Sequence, residues 1–203
     1  MTAKHFALAI LSFAFIACSG DSTLTYGNQT YKTVKIGKQV WMAENLNYEA
    51  EGSLCYDNNP DNCAKYGRLY NWQTAKKVCP AGWHLPSNEE WDKLYRFIDG
   101  DKGTESPYES PTAGKYLKAV SGWNPYKESD GNGTNAYGFS ALPGGYGNPD
   151  GTFDDAGLVG NWWSTSEHDS SFAYFRDIYY DNECASRYYD HESSLFSVRC
   201  LKD

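Results

Sequence analysis

The sequence predicts an α+β fold, with helices early in the chain and antiparallel strands late. Three observations carry this. Pro86-Ser87-Asn88-Glu89-Glu90 starts a helix, with Ser87 as N-cap and Glu90 three residues on, a capping box. Trp91, Leu94, Tyr95 and Ile98 then share one face at helical spacing, and Gly100 closes the helix. From Ser121 onward, glycines and turn residues punctuate short segments that read as strands joined by polar loops. Helices and strands in separate runs favour α+β over alternating α/β.

The elements follow in order. Lys4 and His5 lead into an apolar run, Phe6 to Ile16, that ends Ala17-Cys18-Ser19-Gly20. The run is too short to span a bilayer, which needs ~20 apolar residues, and reads as a signal peptide over 1–17. Residues 18–25 form a short tether, and 26–203 a single domain. Gln29 to Met42 predicts a hairpin turning at Gly37-Lys38, with Val34, Ile36, Val40 and Met42 alternating. Leu69 to Val78 predicts a helix stopped by Pro80, and 99–112 a loop. Late strands are expected at Gly138–Leu142, Leu158–Thr165, Phe172–Tyr180, Ala185–Tyr189 and Leu195–Leu201.

Composition narrows the function classes. The formal net charge is −8, and loss of a leader holding one lysine makes the mature chain one unit more negative. Without a basic stripe, nucleic acid is not an expected partner. Seven Trp and seventeen Tyr, with a mean hydropathy of −0.67, describe a core built from rings. Tyr and Trp also suit binding surfaces, because they offer large area at low entropic cost.

Five cysteines follow Cys18. In an oxidising compartment they read as a disulfide framework. Cys55 and Cys63 enclose a turn-rich loop and pair. Cys79, at a helix end, pairs with Cys200 on the last strand, leaving Cys184 free. A rival pairing is Cys184 with Cys200. An exposed free Cys184 would link two chains; otherwise a monomer is expected.

Residues 145–155, Gly-Tyr-Gly-Asn-Pro-Asp-Gly-Thr-Phe-Asp-Asp, are the candidate binding segment. A sugar offers axial C–H bonds to an aromatic face and hydroxyls to carboxylates and amides. Tyr146, Trp162 or Trp163 supplies the first, and Asn148, Asp150, Asp154 and Asp155 the second. Calcium suits the same oxygens, although the loop does not fit an EF-hand and no metal is assigned. The plain alternative is a solvated turn, with one Trp of the pair in the core because strand neighbours face opposite ways. Arg199 is expected to meet a buried carboxylate, and His84 to be a hydrogen-bonded structural residue.

Ala17-Cys18 resembles the lipobox of bacterial lipoproteins, which implies lipidation of Cys18 and a membrane anchor. Ser19, rather than Asp, then implies the outer membrane; a plain secretory leader would imply a secreted protein. Cys79-Pro80-Ala81-Gly82-Trp83-His84-Leu85-Pro86 followed by Glu90-Trp91 looks like a family signature. So do Gly138 to Tyr146, Trp162 to Ser166, and Ser197-Val198-Arg199-Cys200. Together they resemble the Fibrobacter succinogenes major paralogous domain, from about Tyr26 to the end. More distantly the pattern is similar to formylglycine-generating-enzyme-like domains, which are C-type-lectin-like. That resemblance implies a compact α+β domain with two early helices and twisted antiparallel strands, and it supports Cys79–Cys200. It carries no established activity.

The expected function is therefore a non-catalytic surface module binding a glycan or a protein. The alternatives are a relative of the sulfatase-modifying enzymes or a purely structural surface protein. The enzyme branch uses a close cysteine pair with copper, and here the late cysteines Cys184 and Cys200 stand sixteen apart. A His-x-x-x-His-x-Glu iron run and a Gly-x-Ser-x-Gly elbow are both absent.

Overall fold

The computed structural model describes residues 22–100 and 109–203. The leader, Cys18 and residues 19–21 of the tether lie outside the described residues, as does the middle of the 99–112 loop. The chain opens with strands β1 (Ser22–Tyr26), β2 (Gln29–Ile36) and β3 (Gln39–Met42), followed by β4 (Ser53–Leu54). Helix α1 (Pro60–Tyr66), β5 (Leu69–Tyr70), α2 (Trp72–Ala75), β6 (Trp83–His84) and α3 (Asn88–Asp99) come next. After β7 (Glu109–Ser110) and α4 (Ala113–Leu117) follow β8 (Gly144–Gly147), β9 (Phe153–Ala156) and β10 (Val159–Glu167). The last strands are β11 (Phe172–Tyr179), β12 (Ala185–His191), β13 (Phe196–Ser197) and β14 (Leu201–Lys202).

The fold is mostly β with few helices. One sheet runs β1-β2-β3-β14-β6; the other runs β4-β5-β13-β10-β11-β12-β7, with the β8–β9 hairpin joined to β10. The predicted β2–β3 hairpin forms in the expected register, Ile36 opposite Gln39. Helix α3 also forms as read. Ser87 Oγ accepts from the Glu90 amide and the Glu90 side chain accepts from the Ser87 amide. Trp91, Leu94, Tyr95 and Ile98 are buried on one face. The buried Arg176 ties β11 to this helix, donating to Asp92 Oδ1 at 2.7 Å and to the Asn88 carbonyl at 3.0 Å.

Three expectations change. Leu69–Val78 is not one helix: Leu69 and Tyr70 pair with β4 and β13, Asn71 caps the Thr74 amide, and only one helical turn follows. The apolar spacing there reflects tertiary burial, which overrides local preference. Gly138–Leu142 forms no strand. Gly138 and Ser140 have φ of 71° and 55°, which breaks an extended run, and Ala141 makes a single bridge to Lys118. The final segment is split, with β13 in one sheet and β14 in the other. Between them, Val198 and Cys200 carbonyls accept from Leu46 and Met42.

Arg199 sits at this crossing and, among the described residues, meets no carboxylate. Fully buried, it donates to Asn45 Oδ1 at 2.9 Å and to the carbonyls of Phe139 and Ser140. Asn45 also accepts from Trp162 Nε1 at 2.8 Å and donates to the Tyr66 carbonyl. Burial pushes the Arg199 pKa down to about 9, so the guanidinium stays charged at neutral pH.

Both predicted disulfides are present, Cys55–Cys63 and Cys79–Cys200. The first braces α1, a helix hidden inside what reads as a polar loop, with Asn59 as cap and Pro60 at its start. Cys184 is free and half-buried. Burial, then a hydrogen bond and charge from Glu109, push its thiol up to about 11, which keeps it protonated and slow to react.

The core has two adjoining clusters. One gathers Trp41, Trp91, Phe139 and Trp162 under α3; the other gathers Tyr70, Trp72, Trp163, Phe196 and Cys200. Strand β10 runs between them. Trp162 and Trp163 point to opposite sides as strand neighbours must, but both sides are covered, leaving them 1% and 0% exposed.

Candidate functional site

One face of the larger sheet carries the site. In the β10–β11–β12 register Trp163 lies opposite Phe175 and Tyr188, and Asn161 opposite Asp177 and Ser186. Directly paired residues share a face, so Asn161, Phe175, Asp177, Tyr179, Tyr188 and Asp190 all stand on this side. Here a cavity of about 240 Å³ opens, lined by Tyr146, Asn148, Asn161, Phe175, Tyr179, Asp190 and Phe196.

Its walls are rings held by other rings. Trp163 packs on Phe196 at 4.4 Å and on Phe175 at 6.3 Å between centroids, and Phe175 packs on Phe196 at 4.6 Å. Tyr146 stands edge-on to Phe196. The β8 sequence Gly144-Gly145-Tyr146-Gly147 explains why Tyr146 projects alone. Gly145 has φ 65°, and a Cβ there would lie 2.4 Å from the Asp154 carbonyl oxygen and 2.7 Å from the Tyr56 ring. Opposite it, a Cβ on Gly160 would strike the Trp162 ring at 2.3 Å. Close backbone approach thus requires glycine on both strands.

The predicted candidate residues fall into three groups. Tyr146 and Asn148 line the cavity. Asp150, Asp154 and Asp155 belong to the β8–β9 turn and its return strand, and none of them lines the cavity. Asp150 accepts from the Thr152 amide and hydroxyl, and these bonds lower its pKa; Asp154 accepts from Asn148 Nδ2 at 2.7 Å. Trp162 and Trp163 present no face to a ligand. Trp162 hydrogen-bonds Asn45 deep in the core, and Trp163 backs the cavity wall from behind.

Burial, then the charges of Asp155, Asp154 and Asp190, raise the Tyr146 pKa. Burial and the charges of Asp177 and Asp155 push that of Tyr179 up to about 12. Both hydroxyls are therefore neutral donors at physiological pH. Asn161 is 5% exposed, and its side-chain amide has no hydrogen-bond partner among the described residues. Asp177, directly opposite, is 2% exposed with Oδ1 unpartnered. Sequence reading missed Asn161, Phe175, Tyr179, Asp190 and Phe196. The one available signal was period-two alternation in β11, which puts Phe175 and Tyr179 on one side.

His84 is hydrogen-bonded through both ring nitrogens, as expected. Its Nδ1 meets Asp203 at 2.6 Å and its Nε2 meets Glu90 at 2.9 Å, so it links the C-terminus to the cap of α3. Burial lowers its pKa, but the bonds and charges of Asp203 and Glu90 together outweigh that and raise it. Among the described residues no three His, Cys, Asp or Glu side chains converge to hold a metal ion.

These features define a mostly-β, disulfide-braced domain with an aromatic-walled cavity on one sheet. The chain belongs to the Fibrobacter succinogenes major domain family, whose model matches residues 34–202. No curated protein and no solved structure matches it.

Proposed function

We propose that this protein is an envelope lipoprotein whose C-type-lectin-like domain binds a glycan without catalysis. The observation that carries the reading is the cavity. Tyr146, Phe175, Tyr179 and Phe196 surround it, and Asn161 and Asp190 supply polar groups to its lining. Rings with a few convergent polar groups are the usual make-up of a small-ligand site. At about 240 Å³ the space lies below the ~300–1,000 Å³ of most such sites, which suits one sugar ring of a longer chain. The non-catalytic reading draws support from the cysteines. Cys200 is bonded to Cys79, so Cys184 is the one free thiol among the described residues, and the sulfatase-modifying chemistry needs a pair. A glycan array with the mature chain tests the proposal. Binding that Tyr146→Ala abolishes, with melting temperature nearly unchanged, supports it; equal loss of binding and stability makes Tyr146 structural, and no binding to any glycan returns the protein to a structural surface role.

A further inference from the structure

The cavity has a charge preference as well as a shape. Its lining holds one acid, Asp190, and no base. The charged groups acting most strongly on the Tyr146 hydroxyl are Asp155, Asp154 and Asp190, all carboxylates. Aromatic faces attract cations through their quadrupoles, and more strongly when water is partly excluded. Carboxylates around a low-dielectric cleft focus a negative potential that concentrates cations and repels anions. An acidic rim alone would not make a site. Here it surrounds an independent feature, the Asn161 amide, on a residue only 5% exposed and facing the cavity without a partner. A polar group on a buried residue that opens on a cavity and has no protein partner takes its hydrogen bonds from water or from a ligand there. An amide offers both donor and acceptor, which matches a hydroxyl.

We propose that this cavity selects an amino sugar with a free ammonium group, its ring packed on Tyr146 and Phe175, its hydroxyl bonded to Asn161 and its charge paired with Asp190. This rests on the glycan-binding reading and narrows it. A lysine side chain brings the same charge, but it has no hydroxyl for Asn161 and no flat C–H face for two walls of rings.

Titration calorimetry of the mature chain tests this with five probes: glucosamine tetramer, N-acetylglucosamine tetramer, cellotetraose, an oligogalacturonate and a lysine tetrapeptide. The glucosamine tetramer is expected to bind at least tenfold more tightly than the acetylated or neutral tetramers, with the uronate not bound. Added salt weakens it, as screening requires. Asp190→Asn, a half-buried edge-strand position, is expected to erase the tenfold preference while keeping the weaker neutral binding. Asn161→Ala lowers affinity for all the sugars. Equal or tighter binding of the acetylated or neutral tetramer overturns the charge selection and leaves the glycan site standing. Tighter binding of the lysine peptide overturns it in favour of a protein partner. If no sugar binds, both readings fail.

Discussion

Replacing Asp177 with Asn is expected to stabilise the protein at neutral pH and to leave it unchanged in acid. Asp177 is 2% exposed, and its Oδ1 lacks a partner. Burial pushes its pKa up from 3.8 to about 6, although hydrogen bonds from Ser186 and the charge of Arg176 pull the other way. The native state therefore holds this proton more tightly than the unfolded chain does. Between pH ~4 and ~6 the native state has the larger number of bound protons, so stability falls as pH rises through that window. A shift of roughly two units at ~1.36 kcal/mol each makes the loss about 3 kcal/mol. Asn keeps the shape and cannot ionise, so it escapes this loss. Urea unfolding of the wild type and the Asp177→Asn variant at about pH 3.5, 5 and 7.5 measures the effect. The two should coincide at the lowest pH and differ by about 3 kcal/mol at the highest, the variant being the more stable. A pH-independent difference, or a wild type more stable at the highest pH, would show that the Ser186 bonds outweigh burial, and the reasoning would fail.

Other perturbations sort the remaining forces. The Cys79–Cys200 bond spans 121 residues and Cys55–Cys63 spans 8, so loop entropy predicts losses of about 5 and about 2.5 kcal/mol when each pair becomes Ala. Denaturant midpoints compare them, and a larger loss for the short loop would contradict the entropic account. Gly145→Ala should cost well over ~1 kcal/mol and disturb binding, because its Cβ collides with backbone. Gly151→Ala, with φ 88° and open space around it, should cost only about 1–2 kcal/mol of conformational strain. Arg199→Lys keeps the charge but loses the planar fork, so at least one carbonyl of Phe139 or Ser140 is orphaned, at about 1–3 kcal/mol, read as a drop in melting temperature. Cys18→Ala should move the protein from the membrane fraction to the soluble one; a wild type already soluble would remove the lipid anchor.

What was legible in the sequence was what local chemistry decides. The Ser87–Glu90 box and the 3.6-residue spacing of Trp91, Leu94, Tyr95 and Ile98 specify α3 without help from the rest of the chain. Alternation and turn residues specify β2–β3 and β10–β12 for the same reason. Residues 69–78 misled because Leu69, Tyr70, Trp72, Ala75 and Val78 are all buried, but from a strand, a single helical turn and the loop after it rather than from one helix. The spacing records burial, and burial alone does not say helix. Of the site, Tyr146 and Asn148 could be found because turn glycines set them apart. Trp162 and Trp163 could not be placed, since whether one or both sides of β10 are covered depends on elements far away in sequence. Asn161, Phe175, Asp190 and Phe196 meet only through the register of four strands, which no local pattern encodes.

The position of the long disulfide has a mechanical consequence. Tension applied at the N-terminus reaches β1 at Ser22, the open end of the β1–β2 hairpin, where Ser22 faces Thr33. Bonds loaded from the open end break in succession, like a zipper, so β1, which buries no residue fully, is the weakest link under a pull. Strand β2, through Tyr31 and Ile36, and strand β3, through Trp41, are anchored in the core and resist more. The residues lining the cavity, from Tyr146 to Phe196, all lie inside the covalent loop from Cys79 to Cys200. A tug between the N-terminus and the proposed ligand would therefore peel β1 while the disulfide-closed loop that carries the cavity stays shut.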